Sequence, residues 1–169
     1  MNADIIEGDP TSREWQAQMM QSAGPITRAN RVSFFDLHAM EERAVVHAGQ
    51  TDPAKATTFL RALVNHADPD GFSLSAVRYA PGAYVPRHHH DVAQVVIVLE
   101  GDASLGSRRL GPGCGYFTPV GSDYAVQAGD DGVTMLEFRH SPLTFETVWV
   151  SDPKAARLAE ERAADQLSR

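Results

Sequence analysis

Three consecutive histidines, His88, His89 and His90, stand between the Pro81-Gly82 turn and a run rich in Val and Ile, Val92 to Leu99. β-Branched residues favour strand here. In a strand alternate side chains share a face, so His88 and His90 point one way and His89 the other. Gln94 lies at an even offset from both and can share their face. Two imidazoles and an amide oxygen converging from one sheet face suit a divalent metal ion.

The spacing around these residues is more specific than the triplet itself. Gly82, five residues, His88, one residue, His90, three residues, Gln94, six residues and Gly101 follow one another. Further on, Gly113, five residues, Pro119, one residue, Gly121, two residues and Tyr124 form a second frame. From about Gly71 to Arg139 the chain resembles the cupin superfamily, whose two motifs have these spacings. The chain departs from the family where Gln94 stands for the usual Glu and Tyr124 for the usual His. The resemblance implies an all-β fold, the cupin-type double-stranded β-helix or jelly-roll barrel. It also implies a metal held by His88, His90, Gln94 and the residue at position 124. Fe(II) is the first expectation, with Zn, Ni or Mn as alternatives that imidazole and amide ligands also suit.

The elements that must position these residues follow from turn signals. Asp68-Pro69-Asp70-Gly71 is a strong turn and divides an N-terminal extension, residues 1–70, from a barrel, residues 71–150. Within the extension, Thr11 or Ser12 caps a short helix through Trp15, Met19 and Met20. Arg31 to Leu37 reads as an outlying strand, and Ala54 to Asn65 as a helix with Phe59, Leu60, Leu63 and Val64 on one side. In the barrel, strands are expected over Phe72–Tyr79, the histidine region, a short pair within Ala103–Leu110 interrupted at Gly106-Ser107, Cys114–Thr118, Tyr124–Ala128 and Val133–His140. Gly129-Asp130-Asp131-Gly132 would turn a hairpin between the last two. Thr144 to Val150 reads as a last strand. Residues 151–169 form a C-terminal helix capped by Ser151 or Asp152, with Pro153 in its first turn.

Replacing a ligating Glu by Gln94 leaves about one more positive charge at the metal. The ion becomes a stronger Lewis acid, is retained less firmly and favours an anionic ligand. Tyr124 has three open roles: a phenolate ligand, a proton donor or acceptor beside the metal, or wall packing. The resemblance supports the second, since some cupin lyases use a tyrosine near the metal as base. Two further residues are candidates for catalysis. Arg78 shares a face with Phe72 and Leu74, and would hold a substrate carboxylate if that face is the interior; exposed pairing with an acidic residue is the equal alternative. Glu137 shares a face with Arg139, and turned inward it would replace the carboxylate missing at position 94. His140, His38, His47 and His66 read as surface or capping residues, and Tyr84 as a wall of the site's mouth.

Length and composition bound the function classes. The 169 residues suffice for one domain with a sizeable core. A net charge of −7 argues against a nucleic-acid partner, which calls for a basic face. No apolar run is long enough for a membrane helix. The N-terminus lacks a signal pattern, and the single cysteine, Cys114, is expected reduced, so a cytoplasmic location is expected. A metal-dependent enzyme acting on a small organic molecule is the leading expectation, with a mononuclear non-haem iron dioxygenase slightly ahead. A non-redox lyase, isomerase or cyclase comes next; the resemblance favours it to the extent that cupin polyketide cyclases tolerate a glutamine ligand. A non-catalytic binding cupin is third. The resemblance also implies a homodimer.

Overall fold

The computed structural model describes residues 34–45, 56–65, 72–140 and 147–167. Nine strands are present among them: β1 (Arg43–Val45), β2 (Thr58–Asn65), β3 (Ser73–Tyr79), β4 (Tyr84–His90), β5 (Gln94–Leu105), β6 (Arg108–Leu110), β7 (Gly115–Thr118), β8 (Tyr124–Arg139) and β9 (Thr147–Trp149). One helix, α1 (Pro153–Leu167), follows. All strand pairings are antiparallel, and β8 is the hub, bonded to β3, β4 and β5.

Alternation decides what faces inward. On β5, Gln94, Val96 and Val98 are buried while Val95 and Ile97 are exposed. On β8, Val133, Met135, Glu137 and Arg139 are buried with them, and the register sets Gln94 opposite Arg139, Val96 opposite Glu137 and Val98 opposite Met135. On β3 the matching positions are Ser73, Ser75, Val77 and Tyr79. The curled sheet thus encloses one interior, whose apolar part gathers Val77, Val85, Val96, Val98, Val126 and Met135. The resulting architecture is the all-β barrel the sequence implied.

Three local expectations are corrected. The Gly129–Gly132 hairpin is absent: β8 runs unbroken for 16 residues. Those glycines serve a bend instead. Gly132 has φ +81° and Gly101 on the neighbouring strand φ +70°, and a Cβ on Gly101 would collide with the carbonyl oxygen of Gly132. The two long strands curl past each other where only glycine fits. The helix expected over Ala54 to Asn65 is, from Thr58 onward, strand β2, paired along β3. A register shift between Ala62 and Val64 explains the misreading. It leaves Leu60 on the inner cluster but places Leu63 and Val64 in a second cluster with Ala76, so one apolar run serves two faces. The histidine region is two strands rather than one. The chain bends at Asp91-Val92, and Gln94 opens β5.

The sheet also continues through β1 and β2, ahead of the position where the sequence set the start of the barrel. Phe34–Leu37 is not strand. The expected helix around Trp15, residues 31–33, His47 and His66 lie outside the described residues. Among the described residues no helix is long and apolar enough to cross a membrane.

Candidate metal and ligand site

β4 brings His88 and His90 to the interior, both buried, with ring centroids 5.0 Å apart. Tyr124, the first residue of β8, is paired with His88 across the strands, their ring centroids 4.4 Å apart. Gln94 enters from β5 and is 1% exposed. The four residues at the two motif frames therefore meet in one place. The turns that aim them use left-handed glycines, among them Gly82 with φ +66° and Gly121 with φ +72°.

The hydrogen bonds fix the chemical state of the rings. His88 Nδ1 lies 2.7 Å from the carbonyl oxygen of Pro86. A carbonyl only accepts, so Nδ1 carries the proton. Burial lowers the His88 pKa, against the Pro86 hydrogen bond that raises it, and keeps the ring neutral. Its Nε2 lone pair is then available to a ligand. His90 Nε2 lies 3.0 Å from the Tyr124 hydroxyl and its Nδ1 3.2 Å from Thr147 Oγ1 on β9. Gln94 Nε2 donates to the same Tyr124 hydroxyl at 2.5 Å. The Tyr124 hydroxyl thus accepts from Gln94 and shares a hydrogen bond with His90 Nε2, while His90 Nδ1 shares one with Thr147. Burial, and then the charge of Glu137, push the Tyr124 phenol well above its usual pKa, so it holds its proton.

Among the described residues no three His, Cys, Asp or Glu side chains are grouped so as to hold a metal ion. A cation held by His88 and His90 would therefore draw on the Gln94 amide oxygen as a further donor. The donors fit that requirement. Both imidazoles are held through Nδ1 by a neighbour, as metal-ligating histidines commonly are. Gln94 Oε1 is buried with no hydrogen-bond partner, which leaves a carbonyl oxygen in want of a donor or a cation.

The remaining candidates divide. Glu137 faces inward and pairs with Arg139 Nη2, both side chains being under a tenth exposed. It is thus committed to an ion pair one step along the sheet from Gln94. Arg78 does not face inward. Its guanidinium lies over the Phe59 ring and pairs with Glu42, Nη2 to Oε2 at 2.6 Å. The face shared by Phe72, Leu74 and Arg78 is the outer one, so of the two alternatives for Arg78 the pairing with an acidic residue holds and the interior carboxylate clamp does not. The inward guanidinium is that of Arg139, which sequence reasoning passed over although it shares a face with Glu137. Tyr84 does not line the mouth either; its hydroxyl donates to Asp152 Oδ2 at 2.6 Å, and burial and that carboxylate push its pKa up to about 12. His89 bonds Asp123 at 2.7 Å away from the interior, and His140 is exposed.

Many solved structures resemble this arrangement of strands, three of which illustrate the range. RemF, a polyketide cyclase from Streptomyces resistomycificus, aligns with 73% of this chain and 90% of its own at TM-score 0.54 and 23% identity. A sugar phosphate isomerase of the cupin superfamily from Silicibacter pomeroyi aligns with 70% and 82%, at TM-score 0.56 and 23% identity. A provisionally assigned dioxygenase from Nostoc punctiforme aligns with 71% of this chain but 42% of its own, at TM-score 0.57 and 20% identity. No protein-family model matches the chain, and no curated protein does. The protein has the cupin fold. A cyclase, an isomerase and a dioxygenase candidate share that fold, so it does not choose among activities.

Proposed function

We propose that the protein is a metal-dependent enzyme of non-redox type, a lyase, isomerase or cyclase acting on a small organic molecule. The observation that carries this reading is the position of the Tyr124 hydroxyl. It is gripped by Gln94 Nε2 and His90 Nε2, beside the buried ring of His88. His88, His90 and Gln94 Oε1 would hold a divalent cation, which supplies Lewis acidity toward a substrate oxygen. Tyr124 supplies the proton. Its hydroxyl is oriented by the Gln94 amide, and its ring is fixed against Tyr116 and His88, with centroids 5.7 and 4.4 Å away. The dioxygenase reading uses the same ligands but gives this phenol nothing to do, and so ranks second. The homodimer remains a proposal. The outer row Phe72, Phe138, Val95 and Phe117, contiguous by register and exposed, is the surface a second copy would cover.

The test is an anaerobic assay by NMR, in which metal-loaded protein is incubated with hydroxy- and keto-acids in deuterated water. The expected result is deuterium incorporation or elimination without dioxygen, lost at least a hundredfold in Tyr124→Phe while metal content is unchanged. Dioxygen consumption coupled to substrate oxidation, with a high-spin nitrosyl signal from the Fe(II) form, would overturn it in favour of the dioxygenase.

A further inference from the structure

Beyond the four residues at the motif frames, the same end of the interior holds two more buried hydroxyls. Thr118 on β7 stands opposite Gln94 and is 7% exposed; Ser75 on β3 stands opposite Glu137 and is 1% exposed. Parity turns both inward: Thr118 alternates with the exposed Phe117, and Ser75 lies in step with Val77 and Tyr79 of the inner cluster. Neither Thr118 Oγ1 nor Ser75 Oγ has a hydrogen-bond partner, and Gln94 Oε1 shares that condition. The three atoms lie on two adjacent cross-strand rungs, Ser73-Arg139-Gln94-Thr118 and Ser75-Glu137-Val96-Tyr116.

Buried polar groups without partners cost stability, and folded proteins rarely keep several together. Here they surround a buried Arg139–Glu137 pair. A ligand with its own oxygens and hydroxyl protons would satisfy them. The charge balance adds a second requirement. His88, His90, Gln94 and Tyr124 are neutral donors, and Glu137 is matched by Arg139. A divalent cation on those donors would keep its full charge until an anion joined it.

We propose that Ser75 and Thr118 form the substrate-recognition wall of this site, and that the substrate class is a small hydroxylated carboxylic acid. The carboxylate answers the charge of the cation, the Arg139 guanidinium being already matched by Glu137. The hydroxyls answer Ser75 and Thr118. This rests on the metal-dependent reading above for the carboxylate, and on the partnerless hydroxyls alone for the rest.

The experiment compares D-gluconate and L-tartrate with their unhydroxylated counterparts hexanoate and succinate. Affinities are measured by calorimetry on the full chain, with metal content determined on the same samples. The wild type should bind at least one hydroxy acid about tenfold tighter than its counterpart. Ser75→Ala and Thr118→Val should each reduce that preference about three- to tenfold, the worth of a lost hydrogen bond. Both variants should keep their metal and melt no lower than the wild type without ligand, because the hydroxyl removed had no partner. Absence of preference for either hydroxy acid in metal-bearing protein overturns the proposal and leaves the metal reading standing. A lower melting temperature in both variants also overturns it, by showing that the hydroxyls serve the fold. Protein that takes up no metal but still prefers a hydroxy acid through Ser75 and Thr118 upholds the wall and overturns the metal reading.

Discussion

The barrel interior has two ends built on the same strands, and they differ in almost every side chain. β8 contributes Val126, Ala128, Val133 and Met135 to one end, and Tyr124, Glu137 and Arg139 to the other. β5 contributes Val98 and Ala103, then Gln94; β3 contributes Val77 and Tyr79, then Ser73 and Ser75; β4 contributes Val85, then His88 and His90. Alternation makes both ends inward-facing, and composition alone makes one a core and the other a site. The apolar end is held by burial that needs no partner outside the chain. The polar end carries an ion pair, a phenol chain and three partnerless atoms, which is a poor way to stabilise a fold and a good way to hold a ligand.

Breaking the two ends separately should show this contrast. The largest effect is expected at the polar end from Glu137→Gln. It sets a neutral amide beside the buried Arg139 guanidinium and should destabilise by about 3–5 kcal/mol in urea unfolding. Met135→Ala, at the fully buried centre of the apolar end, should cost about 2–5 kcal/mol through its cavity. It should leave metal content untouched, whereas loss of metal in that variant would blur the division between the ends.

A smaller effect lies outside the barrel, where Asp152 joins α1 to β4. Its Oδ1 accepts from the backbone of Lys154 and Ala155, and its Oδ2 from Tyr84 and the backbone of Arg87. Burial pushes its pKa up, but these four hydrogen bonds outweigh it and hold the carboxyl below the usual value. The stabilisation is therefore present above the unfolded value, about pH 4, and lost as pH falls through the lower folded value. Amide exchange in α1 should accelerate below about pH 4 ahead of exchange in β5 and β8. Asp152→Ala should remove that pH dependence and cost about 1 kcal/mol.

Much of the site was legible because its residues are tied to turns. Left-handed Gly82 and Gly121, with Pro119, set where β4 and β8 begin, and the bend at Asp91-Val92 sets where β5 begins, so fixed spacings carry His88, His90, Gln94 and Tyr124 to one place. What a strand's own alternation cannot give is which face is inside. Arg78 and Arg139 have equal claims by parity, and only the pairing of β3 with β8 and of β8 with β5 turns one out and the other in. The same limit hid Ser75 and Thr118, which look like ordinary strand residues until their neighbours are known. Glycine pairs mislead for a related reason. Gly129 to Gly132 has the composition of a hairpin, but the close approach to Gly101 uses it to bend one long strand.

In the proposed function His88, His90 and Gln94 hold a divalent cation at the polar end. Metal analysis of the purified wild type beside the His88→Ala/His90→Ala double variant tests it most directly, with circular dichroism to confirm that both are folded. The expected result is about one equivalent of a divalent ion in the wild type, as isolated or after loading, and its loss from a variant that stays folded. Equal metal in both proteins, or a wild type that takes up none, would contradict it.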